Sequence, residues 1–169
     1  MKAVLISIRP EWCEKIVSGA KTIEIRKTVP KLATPFKCYI YCTDGPLFQC
    51  YNEKVTYGRK MVIGEFVCDF ILPLHSPFRD KTEGTCLTAR DMYEYAAGKN
   101  LYGWHISDLV IYDRPKALSE FYKVGTLNVS DWEYQLYDGS GDPSRSNYAS
   151  YLFTRAMRKP PQSWCYVEG

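Results

Sequence analysis

The sequence predicts an α+β fold that is mostly β, a small β-barrel decorated with two or three helices. Apolar runs of strand length recur along the chain, whereas only a few stretches combine helical periodicity with capping residues. The 169 residues show one hydrophobic pattern without internal repeats, and 46% of them are hydrophobic. We therefore expect residues 1–169 to form a single soluble domain around one core.

The chain begins with a predicted strand, helix and strand. Residues 3–8 are a short apolar run, and residues 11–18 follow with helical character. Gly19 is expected to close this helix, because glycine readily adopts the left-handed conformation found at helix C-termini. Residues 22–27 then alternate between polar and apolar side chains, as in a strand with two different faces.

The middle of the chain predicts two further strands. Residues 36–42 form one apolar run, and residues 47–59 have the composition of a polar loop or hairpin arm. Residues 61–71 are the longest β-like run, so we expect them to form a central strand of the barrel. Pro73 and Pro77 are expected to end that strand.

The second half of the chain predicts fewer strands and two helices. Residues 87–97 have the spacing and caps of a helix, and residues 109–112 form a short apolar strand. Residues 138–147 are rich in Gly, Ser and Asp, which predicts a mobile loop inserted into the domain. Residues 148–157 predict a short helix before the last strand.

Charge and composition exclude several classes of protein. The net charge is +3, too small to indicate a nucleic-acid binder by itself, but residues 1–37 contain eight basic and three acidic side chains. No apolar stretch is long enough for a membrane span, and no secretory leader is recognisable. We therefore expect a cytoplasmic protein that does not bind membranes.

Cofactor and metal signatures are missing from the sequence. The seven cysteines include no C-x-x-C pair, so we interpret them as reduced thiols and predict no metal site. The sequence also lacks a P-loop, a dinucleotide-binding fingerprint, a G-x-S-x-G motif and an H-E-x-x-H motif. Any chemistry must come from lysine, carboxylate and hydroxyl groups, without a cofactor.

The octet Gly-Ala-Lys-Thr-Ile-Glu-Ile-Arg at residues 19–26 is the most informative part of the chain. It places Lys21, Glu24 and Arg26 close together at a helix-to-strand junction. These side chains could line a polar cleft in which the two cations hold an anion or a base edge and Glu24 accepts a proton or hydrogen bond. The alternative interpretation is a solvated strand face with local ion pairs.

This octet is similar to the G-x-K-x-x-E-x-R signature of the ASCH domain family, a relative of the PUA RNA-binding domains. Residues 5–10, 62–66 and 111–121 resemble successive strands of that family. Residues 160–167 resemble the last strand of its short bacterial and phage members. The resemblance frames nearly the whole chain and implies a PUA-like barrel.

The resemblance implies two possible reactions. Some small ASCH proteins are amidohydrolases of N4-acetylcytidine, with Lys, Thr and Arg where this chain has Lys21, Glu24 and Arg26, and with a distant acid for which Asp91 and Glu94 are candidates. A glutamate in place of the threonine should keep Lys21 protonated and less reactive. A second branch of the family implies cleavage of single-stranded RNA, with Glu24 as general base and the two cations stabilising the transition state.

The interpretation we favour from the sequence is recognition of RNA, a nucleotide or a modified nucleoside, with hydrolysis as the alternative. Aromatic side chains could stack on a base, and two polar side chains in neighbouring strands are weaker candidates. The candidate ligand-binding residues are Lys21, Glu24, Arg26, Ser7, Trp12, Tyr41, Glu65, Trp104 and Trp164.

Overall fold

The computed structural model describes residues 2–45, 52–78, 82–126 and 152–169 of the chain. Within these ranges the chain forms ten strands, three α-helices and one 3-10 helix. In chain order they are β1 (Lys2–Ile8), α1 (Pro10–Val17), β2 (Ile23–Arg26), β3 (Phe36–Cys42), α2 (Glu53–Tyr57), β4 (Met61–Cys68), β5 (Ile71–Leu74), α3 (Ala89–Ala96), β6 (Leu101–His105), β7 (Ser107–Ala117), the 3-10 helix (Leu118–Glu120), β8 (Tyr122–Thr126), β9 (Leu152–Ala156) and β10 (Trp164–Glu168).

Seven strands form the larger sheet, in the order β7-β4-β3-β1-β10-β8-β9. β1 runs parallel to β3 on one side and antiparallel to β10 on the other. Val4, Ile6 and Ile8 belong to one apolar cluster, whereas Ala3 and Leu5 belong to another. Alternate side chains of β1 thus enter different cores, which explains why a strand buried on both faces is apolar at nearly every position.

The helix α1 packs against the larger of these clusters. Pro10 occupies its first turn, where the missing N–H would have no helical partner in any case. Cys13 and Ile16 are buried in the cluster, while Trp12 is only partly buried and packs at its edge. The amphipathic spacing therefore fixes the helix on the sheet and leaves Trp12 at the boundary with solvent.

Strands β2, β6 and β5 form a second, three-stranded sheet. On one of its sides, Ile25 and Leu101 share an apolar cluster with Met92 of α3. Trp104 of β6 is fully buried in the cluster of the larger sheet and contacts Phe36 edge to face, with ring centroids 5.8 Å apart. The small sheet is thus held between α3 and the larger sheet.

Two predicted elements are confirmed closely. The strand predicted over residues 36–42 is β3, with the same bounds. The helix predicted over residues 87–97 is α3. At its start, the side-chain hydroxyl of Thr88 accepts a hydrogen bond from the backbone N–H of Asp91, and the carboxylate of Asp91 accepts one from the backbone N–H of Thr88. This reciprocal capping box satisfies two N–H groups that a helix N-terminus otherwise leaves unpaired.

The single long strand predicted over residues 61–71 is wrong. The run divides into β4 and β5, which belong to different sheets. Between the two strands, Oδ1 of Asp69 accepts a hydrogen bond from the backbone N–H of Phe70. The same oxygen lies 2.6 Å from Nδ1 of His105. These contacts turn the chain from one sheet to the other, and Pro73 lies inside β5 rather than ending a strand.

Three further predicted elements differ in the structure, because strand pairing or a helix cap determines the local conformation there. Residues 47–59 include the helix α2, because the side chain of Asn52 caps its first turn. The strand predicted over residues 109–112 is part of the longer β7. Residues 152–156, expected to be helical, pair as β9 with β8. The loop predicted over residues 138–147 lies outside the described residues.

The fold class is therefore confirmed as mostly strands with three helices, but a closed barrel is not shown. Within the described residues, the hydrogen-bonded strands form two open sheets. Residues 61–71 contribute β4 to the larger sheet and the start of β5 to the smaller one.

Gly64 allows β4 and β7 to approach closely, so we expect Gly64→Ala to destabilise the fold. An added Cβ would overlap the backbone carbonyl of Val110 and lie 3.2 Å from Cα of Ile111. Because backbone atoms cannot move aside cheaply, the free energy of unfolding in urea should fall by about 1–3 kcal/mol. Val110→Ala, at an exposed side chain of the same strand pair, is the control and should cost less than about 0.5 kcal/mol. Equal stability of the two variants would contradict the close packing.

Candidate functional site

The junction between α1 and β2 brings the charged octet into position. Gly19 follows the C-cap of α1 at Ser18, and its φ of 76° lies in the left-handed region favoured by glycine. The backbone N–H of Lys21 then donates to the carbonyl of Lys15 at 2.8 Å, which folds the chain back along the helix end. β2 starts two residues later and pairs antiparallel with β6, with Glu24 opposite Trp104.

Glu24 lies between two cations. Its Oε2 is 3.4 Å from Nζ of Lys21, and its Oε1 is 3.1 Å from Nη2 of Arg26. The exposed fraction of the side chain is only 6% for Glu24, 2% for Lys21 and 11% for Arg26. The interpretation of these residues as a solvated strand face is therefore wrong, since all three are largely removed from water.

Contacts outside the charged triad of Lys21, Glu24 and Arg26 hold the two cations. The Nζ of Lys21 donates to the backbone carbonyl of Thr85 at 2.6 Å and lies 5.4 Å from the ring centre of Trp12. The Nη2 of Arg26 donates to the carbonyl of Ser7 at 2.7 Å. Three separate parts of the chain thus contact the two cations and hold them in place.

The triad lines a cleft with a volume of about 810 Å³. Trp12 of α1 and Tyr95 of α3 lie on its walls, together with the segment 160–163 that leads into β10. The side-chain hydroxyl of Ser7 donates to the carbonyl of Pro161 at 2.7 Å and so attaches that segment to the end of β1. A cavity of this size accommodates a nucleotide-sized molecule.

Opposite charges nearly balance along the cleft. Its basic side chains are those of Arg9, Lys21 and Arg26, and its acidic side chains are those of Glu11, Glu24, Asp91 and Glu94. A site built to neutralise several phosphates would carry an excess of cations. The polar side chains of the cleft instead suit a ligand group that has both hydrogen-bond donors and hydrogen-bond acceptors.

Four predicted site residues lie away from the cleft. Trp104 is in the core, and Trp164 packs against it while donating from Nε1 to Oγ1 of Thr28 at 3.0 Å. Tyr41 belongs to the apolar cluster on the other face of the larger sheet. Glu65 accepts a hydrogen bond from Lys37 at 2.9 Å in a separate group. None of these four lines the cleft, whereas Ser7 and Trp12 do.

Sequence reasoning missed part of the cleft wall. Tyr95 was not singled out, although its spacing of four residues from Asp91 places both on one side of a helix. Glu11 and the segment 160–163 were missed as well, because only tertiary contacts bring them there. Asp91 and Glu94, suggested as distant acids, both border the cleft, but Asp91 is also engaged in the helix cap.

No group of three or more His, Cys, Asp or Glu side chains in the described ranges is arranged to hold a metal ion. Cys38 and Cys42 of β3 are buried in the apolar core. None of the helices that the structure describes is long and apolar enough to cross a membrane.

Glu65 belongs to a surface cluster with a predictable response to pH. Burial raises the pKa of Glu65, but hydrogen bonds from Lys37 and Tyr112 outweigh this effect, so the pKa lies below its ordinary value. A carboxylate with a lowered pKa stabilises the fold above its unfolded-state pKa and loses this contribution as the pH falls through the folded-state pKa.

We therefore expect Glu65→Gln to lower the free energy of unfolding by up to about 1 kcal/mol near pH 7 and by almost nothing near pH 3. Urea denaturation at both pH values measures the difference. Glu83→Gln, at an exposed side chain, should show no such trend. A Glu65→Gln effect that does not change with pH would contradict the role of the ionised carboxylate.

Comparison with known proteins gives one similar sequence. No family model matches this chain. A protein of Zymomonas mobilis described as an ASCH domain-containing ribonuclease is 30% identical over 97 residues. The alignment covers 50% of this chain and 59% of that protein, so the likeness extends over less than two thirds of the relative's length.

Solved structures from the same organism share the fold. The crystal structure of ASCH from Zymomonas mobilis has a TM-score of 0.54 at 22% identity, covering 93% of this chain and 88% of that one. A point mutant of that protein gives a TM-score of 0.50 at 21% identity, with 94% and 92% covered. At these identities the agreement establishes the shared fold alone.

Proposed function

We propose that this chain, which is similar in sequence and fold to ASCH domain proteins, binds single-stranded RNA or a nucleotide-sized piece of it, taking one base into the cleft. The observation that carries this proposal is the buried charged triad at the surface of an open cleft. Charged side chains are rarely buried in a protein unless they pair with one another or take part in binding or catalysis. The name of the similar ribonuclease supports RNA as the class of ligand.

The charge balance of the cleft favours a base over a phosphate next to the triad. A nucleobase is neutral and presents both donors and acceptors along its edge, which suits the mixture of Lys21, Glu24 and Arg26. Arg9 is the exposed cation on the cleft, with 72% of its side-chain surface accessible. It is the side chain best placed to contact a phosphate outside the cleft.

Aromatic side chains supply the stacking surfaces. Trp12 lies on one wall beside Lys21, and Tyr95 lies on another with the Nζ of Lys27 4.7 Å from its ring centre. Stacking of a base on such rings tolerates any sequence and contributes a large part of single-strand affinity. The triad would then read the edge of the stacked base.

Tyr95→Ala tests this arrangement without disturbing the buried charges. We expect it to weaken binding of a fluorescently labelled single-stranded RNA by roughly 5- to 150-fold, since stacking contributes about 1–3 kcal/mol per base. Fluorescence anisotropy measures the affinity. The control is Tyr93→Ala, which removes an exposed tyrosine of the same helix that does not line the cleft. Equal losses in both variants, or none in Tyr95→Ala, would contradict the proposal.

Cleavage of RNA is the second candidate function, favoured by the description of the Zymomonas mobilis relative as a ribonuclease. Cleavage places a phosphodiester, rather than a base, beside the triad. As Glu24 accepts the proton of the 2′-hydroxyl, the 2′-oxygen would bond to phosphorus, the P–O5′ bond would break and the departing 5′-oxygen would take a proton from water, leaving a 2′,3′-cyclic phosphate. Lys21 and Arg26 would stabilise the charge on the phosphate oxygens. The amidohydrolase alternative has less support, because a nucleophilic lysine must be neutral and Lys21 is ion-paired with Glu24.

The ribonuclease candidate predicts that Glu24→Gln reduces cleavage of single-stranded RNA by about 100-fold or more, the usual contribution of a general base. Gel analysis of a labelled RNA during incubation with purified protein measures the rate. Glu65→Gln, which changes a glutamate outside the cleft, should cleave like the unmodified protein. Cleavage that persists in Glu24→Gln would remove Glu24 from the mechanism.

A further inference from the structure

We infer that the ligand of the cleft is a strand of several nucleotides, whose phosphates leave the cleft along the loop between β2 and β3. This inference rests on the proposed function, and it decides between an RNA strand and a single nucleotide. It follows from the charges of residues 27–31 and from the contacts that place these residues beside the cleft.

The loop after β2 differs from the cleft in its charge. Residues 25–37 contain four basic side chains and no acidic one. Two of the four, Arg26 and Lys37, are already neutralised in ion pairs with glutamates. The other two, Lys27 and Lys31, form no ion pair with any residue that the structure describes. Their positive charges are therefore available to an anionic ligand, whereas the charges of the cleft nearly cancel.

Hydrogen bonds to β10 hold the loop in place. The indole Nε1 of Trp164 donates to Oγ1 of Thr28 at 3.0 Å, and the backbone N–H of Lys31 donates to the hydroxyl of Tyr166 at 2.6 Å. The two aromatic rings contact each other edge to face, with centroids 5.5 Å apart. Pro30 is buried between these anchor points. The loop is thus ordered before a ligand arrives, so binding costs little backbone freedom.

The loop is continuous with the cleft. The Nζ of Lys27 lies 4.7 Å from the ring centre of Tyr95, which lines the cleft. Trp164, which holds the loop, directly follows Ser163 of the cleft wall. A strand that has one base in the cleft and leaves it on this side therefore passes Lys27 and then Lys31, where its phosphates meet unpaired cations.

Acidic side chains along this path are already engaged. Of the acids of α3 that border the cleft, Asp91 caps the start of the helix and Glu94 is paired with Arg90 at 2.8 Å. Beyond the loop, Lys2 and Glu168 lie opposite each other in β1 and β10, so that their charges nearly cancel. The path thus offers two unpaired cations, enough to contact about two phosphates.

The affinity of the protein for two versions of one octanucleotide tests the inference. Both versions carry 2′-O-methyl groups, so that cleavage cannot consume them, and in one the phosphodiester linkages are replaced by uncharged methylphosphonates. We expect Lys27→Gln combined with Lys31→Gln to weaken binding of the phosphodiester strand by about tenfold at about 0.1 M salt. The slope of log affinity against log salt should become shallower by about 1.4, or about 0.7 for each phosphate. Fluorescence anisotropy measures both quantities.

The matched control removes two cations from β7, which three strands separate from β10 in the larger sheet. Arg114 and Lys116 are exposed, and the Nζ of Lys116 lies 4.3 Å from the ring centre of Tyr112, much as Lys27 lies against Tyr95. Arg114→Gln combined with Lys116→Gln should bind the phosphodiester strand within about twofold of the unmodified protein, since distant exposed charges are screened. Thermal unfolding checks that both double variants are folded.

The uncharged strand separates a lost phosphate contact from a disturbed stacking ring, because Lys27→Gln also removes the contact with Tyr95. We expect the unmodified protein to bind the methylphosphonate strand at least about tenfold more weakly than the phosphodiester strand. The variant that lacks both loop lysines should bind the methylphosphonate strand as tightly as the unmodified protein does. A loss of equal size with both strands would point to a displaced Tyr95 and overturn the inference.

The outcomes separate this inference from the proposed function. Tyr95-dependent binding of the phosphodiester strand that ignores the loop lysines would overturn the path along the loop and leave RNA binding intact. Equal losses in the two double variants would overturn it as well, and so would a mononucleotide that displaces the labelled strand as effectively as the unlabelled strand does. If neither strand binds to the unmodified protein, the proposed function fails too.

Discussion

The ion pairs of Glu24 with Lys21 and Arg26 are the interaction on which the cleft depends. Three charged side chains leave water together, and the carboxylate of Glu24 compensates both cations. Removing one partner of a buried pair costs about 3–5 kcal/mol, since the remaining charge stays buried without compensation. The carbonyl contacts of Thr85 and Ser7 complete this compensation. The stability of the fold therefore depends on keeping the triad, Thr85 and Ser7 in contact.

The same contacts connect the charged triad to the architecture. Thr85 lies just before α3, Ser7 lies near the end of β1, and Ser7 in turn holds Pro161. β1, β2, the segment before α3 and the segment 160–163 are thus joined by hydrogen bonds from charged or hydroxyl side chains. The aromatic walls stand on rigid helices, which suits a site that selects ligands by stacking and edge contacts.

Local patterns predicted what is locally determined. The octet at residues 19–26 placed Lys21, Glu24 and Arg26 together, and the Thr88 cap located α3, because both depend on neighbours a few residues away. The sequence could not show that residues 61–71 change sheets, since the turn depends on contacts between Asp69 and His105. Tyr41 and Glu65 were misplaced for a similar reason. A strand buried on both faces does not reveal which face meets which core.

The pairing of β1 with β10 has a consequence for the timing of assembly. It joins Lys2 to Glu168, and the Ser7 contact with Pro161 spans 154 residues. Contacts of such separation lose the most chain entropy on closure and form slowly compared with local ones. A growing polypeptide therefore cannot complete the cleft until residues 160–168 have left the ribosome.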